Sequence, residues 1–217
     1  MLQIKNLSVK VGEKQILNQI SFDFETGKNY CILGKNGSGK SSLAMTLAGN
    51  PKYEISEGEL LLDGQNLTEM TPDERNKAGI FLTFQNIPEI PGVKLFEFLK
   101  TIYDARAEKP STFLEFKKII EPLMAELEIE KAFLWRDLNV GFSGGEKRKI
   151  EVLQIKLLKP KYIILDEIDS GLDVNAVRQV AELLKAVNTE ENSFIVITHL
   201  FEMLQELPLE KILILEH

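Results

Sequence analysis

The 217-residue chain has one cysteine, Cys31. A single thiol closes no internal disulfide and fits a reducing compartment, so the expected location is cytoplasmic. Basic charge is in deficit: 26 Lys and Arg stand against 33 Asp and Glu, a net −7. An acidic balance argues against a nucleic-acid or anionic-membrane partner, since such partners select basic surfaces. No apolar run reaches the ~18 residues that a bilayer-spanning helix needs, so no membrane insertion is expected. Met1-Leu2-Gln3-Ile4-Lys5 lacks a charged region followed by an apolar core, so no signal peptide is expected. Internal repeats and low-complexity segments are also missing. What remains is 44% hydrophobic and 27% charged, a composition for one large domain or one domain with a subdomain.

One stretch dominates. Gly34-Lys35-Asn36-Gly37-Ser38-Gly39-Lys40-Ser41-Ser42 follows the apolar run Tyr30–Leu33 and precedes the helix-forming Leu43–Ala48. Strand, glycine-rich loop and helix form the context of a P-loop. Glycines let successive N–H groups turn inward around a phosphate, and the helix N-terminus adds partial positive charge there. Lys40 is expected to reach the β- and γ-phosphates, and the Ser41 hydroxyl to ligate Mg²⁺.

Before the loop, residues 2–33 alternate as strands broken by turns at Gly12-Glu13 and Thr26-Gly27, an antiparallel β layer. After it, 58–63 reads as a strand ended by Asp63-Gly64. Thr71-Pro72-Asp73-Glu74 reads as a capped helix start. Ile80–Phe84 reads as a buried strand with Gln85 at its end. Residues 86–93 hold two prolines and a glycine and read as a loop and hinge. Residues 94–135 carry helical periodicity, as an inserted helical subdomain whose aromatic stripes are core packing; Trp135 has no role beyond packing. Alternation then returns: helix 144–158, strand 162–165, helix 174–188, strand 193–198, helix 201–207, strand 211–215. This is an α/β pattern with a mostly parallel sheet and helices on both faces.

The apolar strand Tyr162–Leu165 ends in two carboxylates. Strand C-termini open onto the ligand crevice of a parallel sheet. Asp166 is expected to hold Mg²⁺, directly or through water, and Glu167 to polarise an attacking water as general base. Ahead of them, Ser143 can cap the following helix, and Gly144-Gly145 leave N–H groups open at its start. That is a second anion site, although Ser-Gly-Gly also occurs in plain turns. If the two sites lie far apart, one γ-phosphate cannot fill both, and two subunits placed head to tail complete each other's sites. No Asn-Lys-x-Asp guanine-reading motif occurs, since Asn76-Lys77-Ala78-Gly79 lacks the aspartate, so a GTPase is not expected.

Taken together the motifs resemble, over nearly the whole chain, the nucleotide-binding domain of an ABC ATPase. They are the P-loop Gly34–Ser42, Gln85, the signature Phe142-Ser143-Gly144-Gly145-Glu146, the run ending at Asp166-Glu167, Ser170-Gly171-Leu172-Asp173, and His199 after Thr198. The resemblance implies a P-loop fold of one ABC domain, with residues 1–93 and 136–217 as α/β catalytic core and 94–135 as helical subdomain. It implies an ATP-dependent homodimer with two ATP at its interface, each between one copy's P-loop and the other's signature. Gln85 would contact Mg²⁺ and the lytic water, His199 the γ-phosphate, and Asp173 the opposite copy.

Transporter ATPases usually carry Pro after the catalytic glutamate and Ala-Leu-Asp further on. Here Glu167 is followed by Ile168-Asp169-Ser170-Gly171-Leu172-Asp173. With Pro88-Glu89-Ile90-Pro91-Gly92-Val93, Asn139-Val140-Gly141-Phe142 and Asn50–Ile55, this resembles the SufC-type ATPases of the SUF iron–sulfur cluster assembly system. That resemblance implies SufB/SufD-type scaffold partners docked on the helical subdomain. One cysteine cannot hold an iron–sulfur cluster, so none is expected on this chain. The alternatives are a transporter ATPase and a non-hydrolytic ATP-binding module; Glu167, Gln85 and His199 speak against the second. Two departures from the family stand out. No aromatic lies near Val11 to stack on adenine. The family normally continues for some tens of residues past the last strand, and Leu215-Glu216-His217 resembles the start of a histidine tag, which leaves His217 without a function.

Overall fold

Alternation sets the burial of β1 (Leu2–Val11), with Leu2, Ile4, Leu7 and Val9 all buried. The phase of that alternation slips between Ile4 and Leu7, where the pairing register shifts and Asn6 turns to φ +48°. A bulge of this kind keeps both halves of a strand facing the core. In the computed structural model, residues 1–168, 174–198, 207 and 209–215 are described. The stretch Ser170–Asp173, His199, His217 and all but the last residue of the expected 201–207 helix fall outside them. The chain divides into two compact units.

The first unit comprises Met1–Thr83, Pro160–Ile168 and the described part of Asn188–His217. Its antiparallel layer consists of β1, β2 (Lys14–Phe24), β4 (Glu54–Leu62) and the short β5 (Gln65–Asn66), in the order β2-β1-β4-β5. Its second sheet is built from β3 (Tyr30–Gly34), β6 (Ile80–Thr83), β9 (Tyr162–Asp166), β10 (Ser193–Ile197) and β11 (Lys211–Leu215). The order is β11-β3-β10-β9-β6, and every pairing is parallel. The α/β class with an antiparallel layer is therefore as the sequence implies. Strands β9 and β10 are buried along their whole length, as strands of a covered parallel sheet are. Tyr162 ties the two sheets together: its hydroxyl donates to Phe24 O (2.7 Å) and accepts from Leu2 N (3.0 Å).

Among its described residues this unit has two helices, α1 (Lys40–Leu47) and α2 (Pro72–Ala78). Helix α2 starts where expected, with Thr71 and Glu74 forming a capping box ahead of Pro72. Arg75 on α2 is 3% exposed. It donates to Thr46 O and Leu47 O at the end of α1, to Thr68 O (2.9 Å) and to Met70 O (3.1 Å). The last carbonyls of a helix have no partner within it, and a cation there also meets the negative end of the helix dipole.

The second unit comprises Phe84–Lys159 and the described part of Asp169–Val187. Residues 94–135 all lie in it, together with 84–93, 136–159 and 174–187. Its helices are α3 (Leu95–Asp104), α4 (Phe113–Glu126), α5 (Gly144–Leu158) and α6 (Val174–Val187), with a 3-10 turn at Lys131–Trp135. The 86–93 stretch is less loop-like than the sequence suggests. Ile90–Lys94 forms β7, paired antiparallel with β8 (Asp137–Leu138). Asp137 makes the pairing: its carboxylate accepts from Gly92 N (3.0 Å) and Lys94 Nζ (2.7 Å). The buried strand expected to include Phe84 stops at Thr83, and Phe84 is 49% exposed. The expected aromatic core is only partly internal. Phe96 and Phe116 are buried, whereas Trp135 stacks on Phe96 with 52% of its surface exposed.

Replacing Arg75 by alanine removes donors from four main-chain carbonyls at once, two of them in buried bonds. Arg75→Ala is expected to lower the unfolding free energy by about 3 kcal/mol. Urea unfolding measures this, and an unchanged midpoint would show that water satisfies those carbonyls equally well.

Candidate functional site

The P-loop leaves β3 at Gly34 and enters α1 at Lys40. Two of its glycines are required by contact. A Cβ at Gly34 would lie 2.4 Å from Ser38 Oγ and 2.7 Å from Leu215 O, and one at Gly39 would lie 2.4 Å from Leu17 Cδ2. Gly39 also sits at φ +96° as the N-cap of α1. Gly37 is at φ +82°, and a Cβ there would meet nothing within 4 Å, so this side of the loop is open. The first turn of α1 holds no acid, and its N-cap glycine has no side chain to accept the free N–H groups. Those donors are left to an anion.

Lys40 is buried and donates to Gly34 O (2.9 Å) and Lys35 O (3.1 Å), folding its ammonium onto the loop. Ser41 Oγ donates to Asp166 Oδ1 at 3.1 Å. The two metal ligands expected from opposite ends of the sequence thus meet at the end of β9. Burial pushes the Asp166 carboxyl above its ordinary range; the Ser41 bond opposes this, Glu167 adds to it, and Lys40 opposes it. A hydroxyl and a carboxylate are hard oxygen donors, and Mg²⁺ is commonly held by one or two such groups plus substrate phosphates. Among the described residues no group of three or more His, Cys, Asp or Glu could hold a metal. The Ser41–Asp166 donor set thus fits Mg²⁺ held together with substrate phosphates.

Glu167 adopts φ +47°, and its N–H donates to Ile197 O at 2.8 Å. That bond turns the chain sharply past β9 and pins Glu167 beside the end of β10. Lys35, Asn36 and Gly37 are exposed, and Ser42 is half-buried. Ser38 is buried. Its hydroxyl is buried without a hydrogen-bond partner, turned against Gly34, while its N–H donates to Lys35 O (3.0 Å).

The remaining expected residues belong to the second unit. Ser143 caps α5 in a reciprocal box: Glu146 N donates to Ser143 Oγ (3.3 Å), and Ser143 N donates to Glu146 Oε2 (2.7 Å). Ser143 and Gly144 are exposed, and a Cβ at Gly145 would meet nothing within 4 Å. Phe142 is buried and anchors this turn. Its ring packs on Phe133, and the Arg136 guanidinium lies 4.5 Å from its centroid. Gln85 is exposed, and its carbonyl accepts from Arg148 Nη2 at 3.2 Å.

Sequence reasoning did not find Arg136, Arg148 or Glu151. Arg136 lies in an aperiodic stretch, where nothing distinguishes it from a solvated charge. Arg148 and Glu151 sit three apart on a helix, a spacing that also describes any surface ion pair.

The ABC transporter family profile matches residues 17–170. Over 203 residues the chain is 45% identical to "Probable ATP-dependent transporter ycf16" of Antithamnion sp., covering 92% of this chain and 81% of that protein. It is 41% identical over 203 residues to "Probable ATP-dependent transporter SufC" of Escherichia coli K12, covering 92% and 82%. The solved dimer of the ATP-binding cassette MJ0796 with ADP and Pi shares the fold. Its TM-score is 0.82 at 23% identity, with 100% of this chain and 94% of that one covered. The chain belongs to the ABC transporter family and is one of its ATP-hydrolysing cassettes, with a relative that carries the SufC name.

Proposed function

We propose that the chain is a Mg²⁺-dependent ATPase of the SUF type, and that ATP closes two copies of it to move a SufB/SufD-type scaffold during iron–sulfur cluster assembly. The observation that carries the catalytic part is the Ser41–Asp166 contact beside an open, acid-free helix N-terminus. The scaffold role rests on the 41% identity to the protein named SufC, together with the stretches around Pro88, Asn139 and Ile168. Residues 1–93 and 136–217 are then the catalytic core and 94–135 the helical lobe of one ABC domain, working in the cytoplasm.

In this reading the loop N–H groups and Lys40 cradle the β- and γ-phosphates, and Lys40 exchanges the carbonyls of Gly34 and Lys35 for phosphate oxygens. Ser41 and Asp166 would hold Mg²⁺, with Gln85 as a third contact. Bound there, the ion neutralises charge on the transferring phosphoryl group. Glu167 takes the proton of the attacking water, and His199 orients that water against the γ-phosphate. Gly144 and Gly145 of the other copy present their N–H groups, and Ser143 its hydroxyl, to the same phosphate. Catalysis is therefore positioning plus electrostatics, and a lone copy lacks half of it.

A second reading is an ATPase subunit of a membrane transporter, which the names of the relatives favour. No helix of the described residues is long and apolar enough to cross a membrane, which suits either reading. Affinity purification from the native host separates the two. Soluble SUF scaffolds in the eluate support the first, and a polytopic membrane protein supports the second.

Lys40→Ala is expected to cut phosphate release by at least about 100-fold, since it removes a charge placed on the reacting phosphate. Unchanged release would sink the P-loop assignment. Ser41→Ala should raise the Mg²⁺ concentration for half-maximal turnover by about ten-fold, in the range seen on loss of a ligand's support. Glu167→Gln should hold ATP uncleaved and accumulate a dimer in analytical ultracentrifugation. A strict monomer at high protein and ATP concentration would refute the paired site.

A further inference from the structure

The main chain at Phe84-Gln85 has left β6, so its polar groups have no ladder to join. A buried charge pair on α5 takes them instead. Arg148 is 4% and Glu151 5% exposed, and Arg148 Nη1 donates to Glu151 Oε2 at 2.6 Å. Glu151 Oε1 accepts from Phe84 N (2.9 Å). Arg148 Nη1 donates to Phe84 O (2.7 Å), and Nη2 donates to Gln85 O (3.2 Å). Both polar groups of Phe84 and the carbonyl of Gln85 are thus fixed by side chains from one helix. The segment that follows is braced from the same region: Lys147 pairs with Glu89 at 2.8 Å, and Asn139 Nδ2 donates to Pro88 O at 2.9 Å. The Gln85 side chain itself is exposed.

We infer that Arg148 and Glu151 are positioning residues for Gln85: they lock the backbone from which Gln85 reaches the reaction centre, and they do so from the helix that Ser143 caps. This rests on the role proposed above for Gln85. A guanidinium suits the task because its rigid planar fork aims donors from two separate nitrogens at two carbonyls and a carboxylate, whereas the donors of an ammonium all diverge from one atom on a flexible stem. The carboxylate supplies an acceptor for a main-chain N–H and the counter-charge that a buried guanidinium needs. Burial pushes the Glu151 carboxyl upward, and the adjacent Arg148 charge and the Phe84 N–H work against that rise. Because one helix carries both the cap at Ser143 and the anchor of Gln85, an event felt at the signature is delivered to Gln85 through rigid structure. A flexible loop would absorb it.

The experiment compares the full-length chain with the paired variant Arg148→Met/Glu151→Met, which keeps apolar volume and leaves no lone buried charge. Arg148→Lys is a milder second variant that keeps the charge and loses the fork. Each is made in the native chain and on a Gln85→Ala background, and folding is checked by thermal unfolding. Steady-state phosphate release should show kcat down about ten-fold for the paired variant, below the roughly 100-fold that misplacing a catalytic contact by about 1 Å can cost. KM for ATP should stay within about two-fold, because the loss falls on the reacting geometry and not on uniform binding of ATP. Arg148→Lys should fall between the two. On the Gln85→Ala background the same changes should alter kcat by less than about two-fold, since the effect they act through is already gone. Normal kcat in a folded paired variant, or an undiminished drop on the Gln85→Ala background, would overturn the inference. Turnover that ignores Lys40→Ala would overturn it together with the site reading on which it rests, and that outcome is distinct from a failure of the clamp alone.

Discussion

A parallel sheet delivers the carboxyl ends of all its strands to one edge, and the site in the first unit depends on that constraint. β3 ends at Gly34, where the P-loop begins, and β9 ends at Asp166. β10 lies between them, with Ile197 in register with Asp166, and Glu167 hangs from Ile197 O by its own N–H. Residues 125 positions apart, Ser41 and Asp166, come within hydrogen-bonding distance because β3, which leads into the loop and α1, runs in the same direction as β9. An antiparallel arrangement would send one of the two to the far edge. The antiparallel layer contributes support: Leu17 of β2 fills the space beside Gly39 that any larger residue there would claim.

Much of this was legible from the sequence, because the signals were local. Glycine spacing between a strand and a helix forces a P-loop, and Thr71-Pro72-Asp73-Glu74 forces a helix start. The element order after residue 140 followed from alternating periodicity, and β9, α5 and β10 lie close to where that period placed them. The errors fell where main-chain groups are satisfied by side chains distant in sequence. Phe84 continues the apolar pattern of β6, yet its N–H and C=O go to Glu151 and Arg148, and its ring is half out in solvent. Residues 90–94 look like a proline-rich loop, yet Asp137 draws Gly92 and Lys94 into a short strand pair. No window of sequence around either segment contains the partner that decides its conformation.

The candidate site shows the same division. Lys40, Ser41 and Asp166 were readable because phosphate and metal chemistry restrict the residue types to a few, at fixed offsets from a strand end. The residues that hold the signature turn carry no such restriction. Arg136 lies over both Phe133 and Phe142 and bonds the carbonyls of Val140 and Gly141. Each contact is generic, and only their convergence on one turn gives them weight. Ser38 is the opposite case. It fits the motif, yet its hydroxyl faces Gly34, so its place in the loop is set by packing and by its N–H bond to Lys35.

The chain passes from one unit to the other between Thr83 and Phe84, and the two residues are anchored differently. Thr83 Oγ1 donates to Ile164 O (3.2 Å) inside the parallel sheet, while Phe84 is held by the charge pair on α5. The choice of a charge pair for that second anchor can be argued from magnitudes. The mutual attraction of a buried ion pair is largely cancelled by the cost of desolvating it, so replacement by apolar residues of similar size is often neutral for stability. Each buried main-chain group left without a partner, by contrast, costs about 1–3 kcal/mol. Phe84 and Gln85 present three part-buried main-chain groups to Arg148 and Glu151, so each carries a share of that cost. An apolar pair would fill the same space and leave all three unmet, so the segment would move to find water. The value of Arg148 and Glu151 therefore lies less in binding each other than in fixing Phe84 and Gln85, and a rigid Gln85 follows from backbone satisfaction rather than from charge attraction.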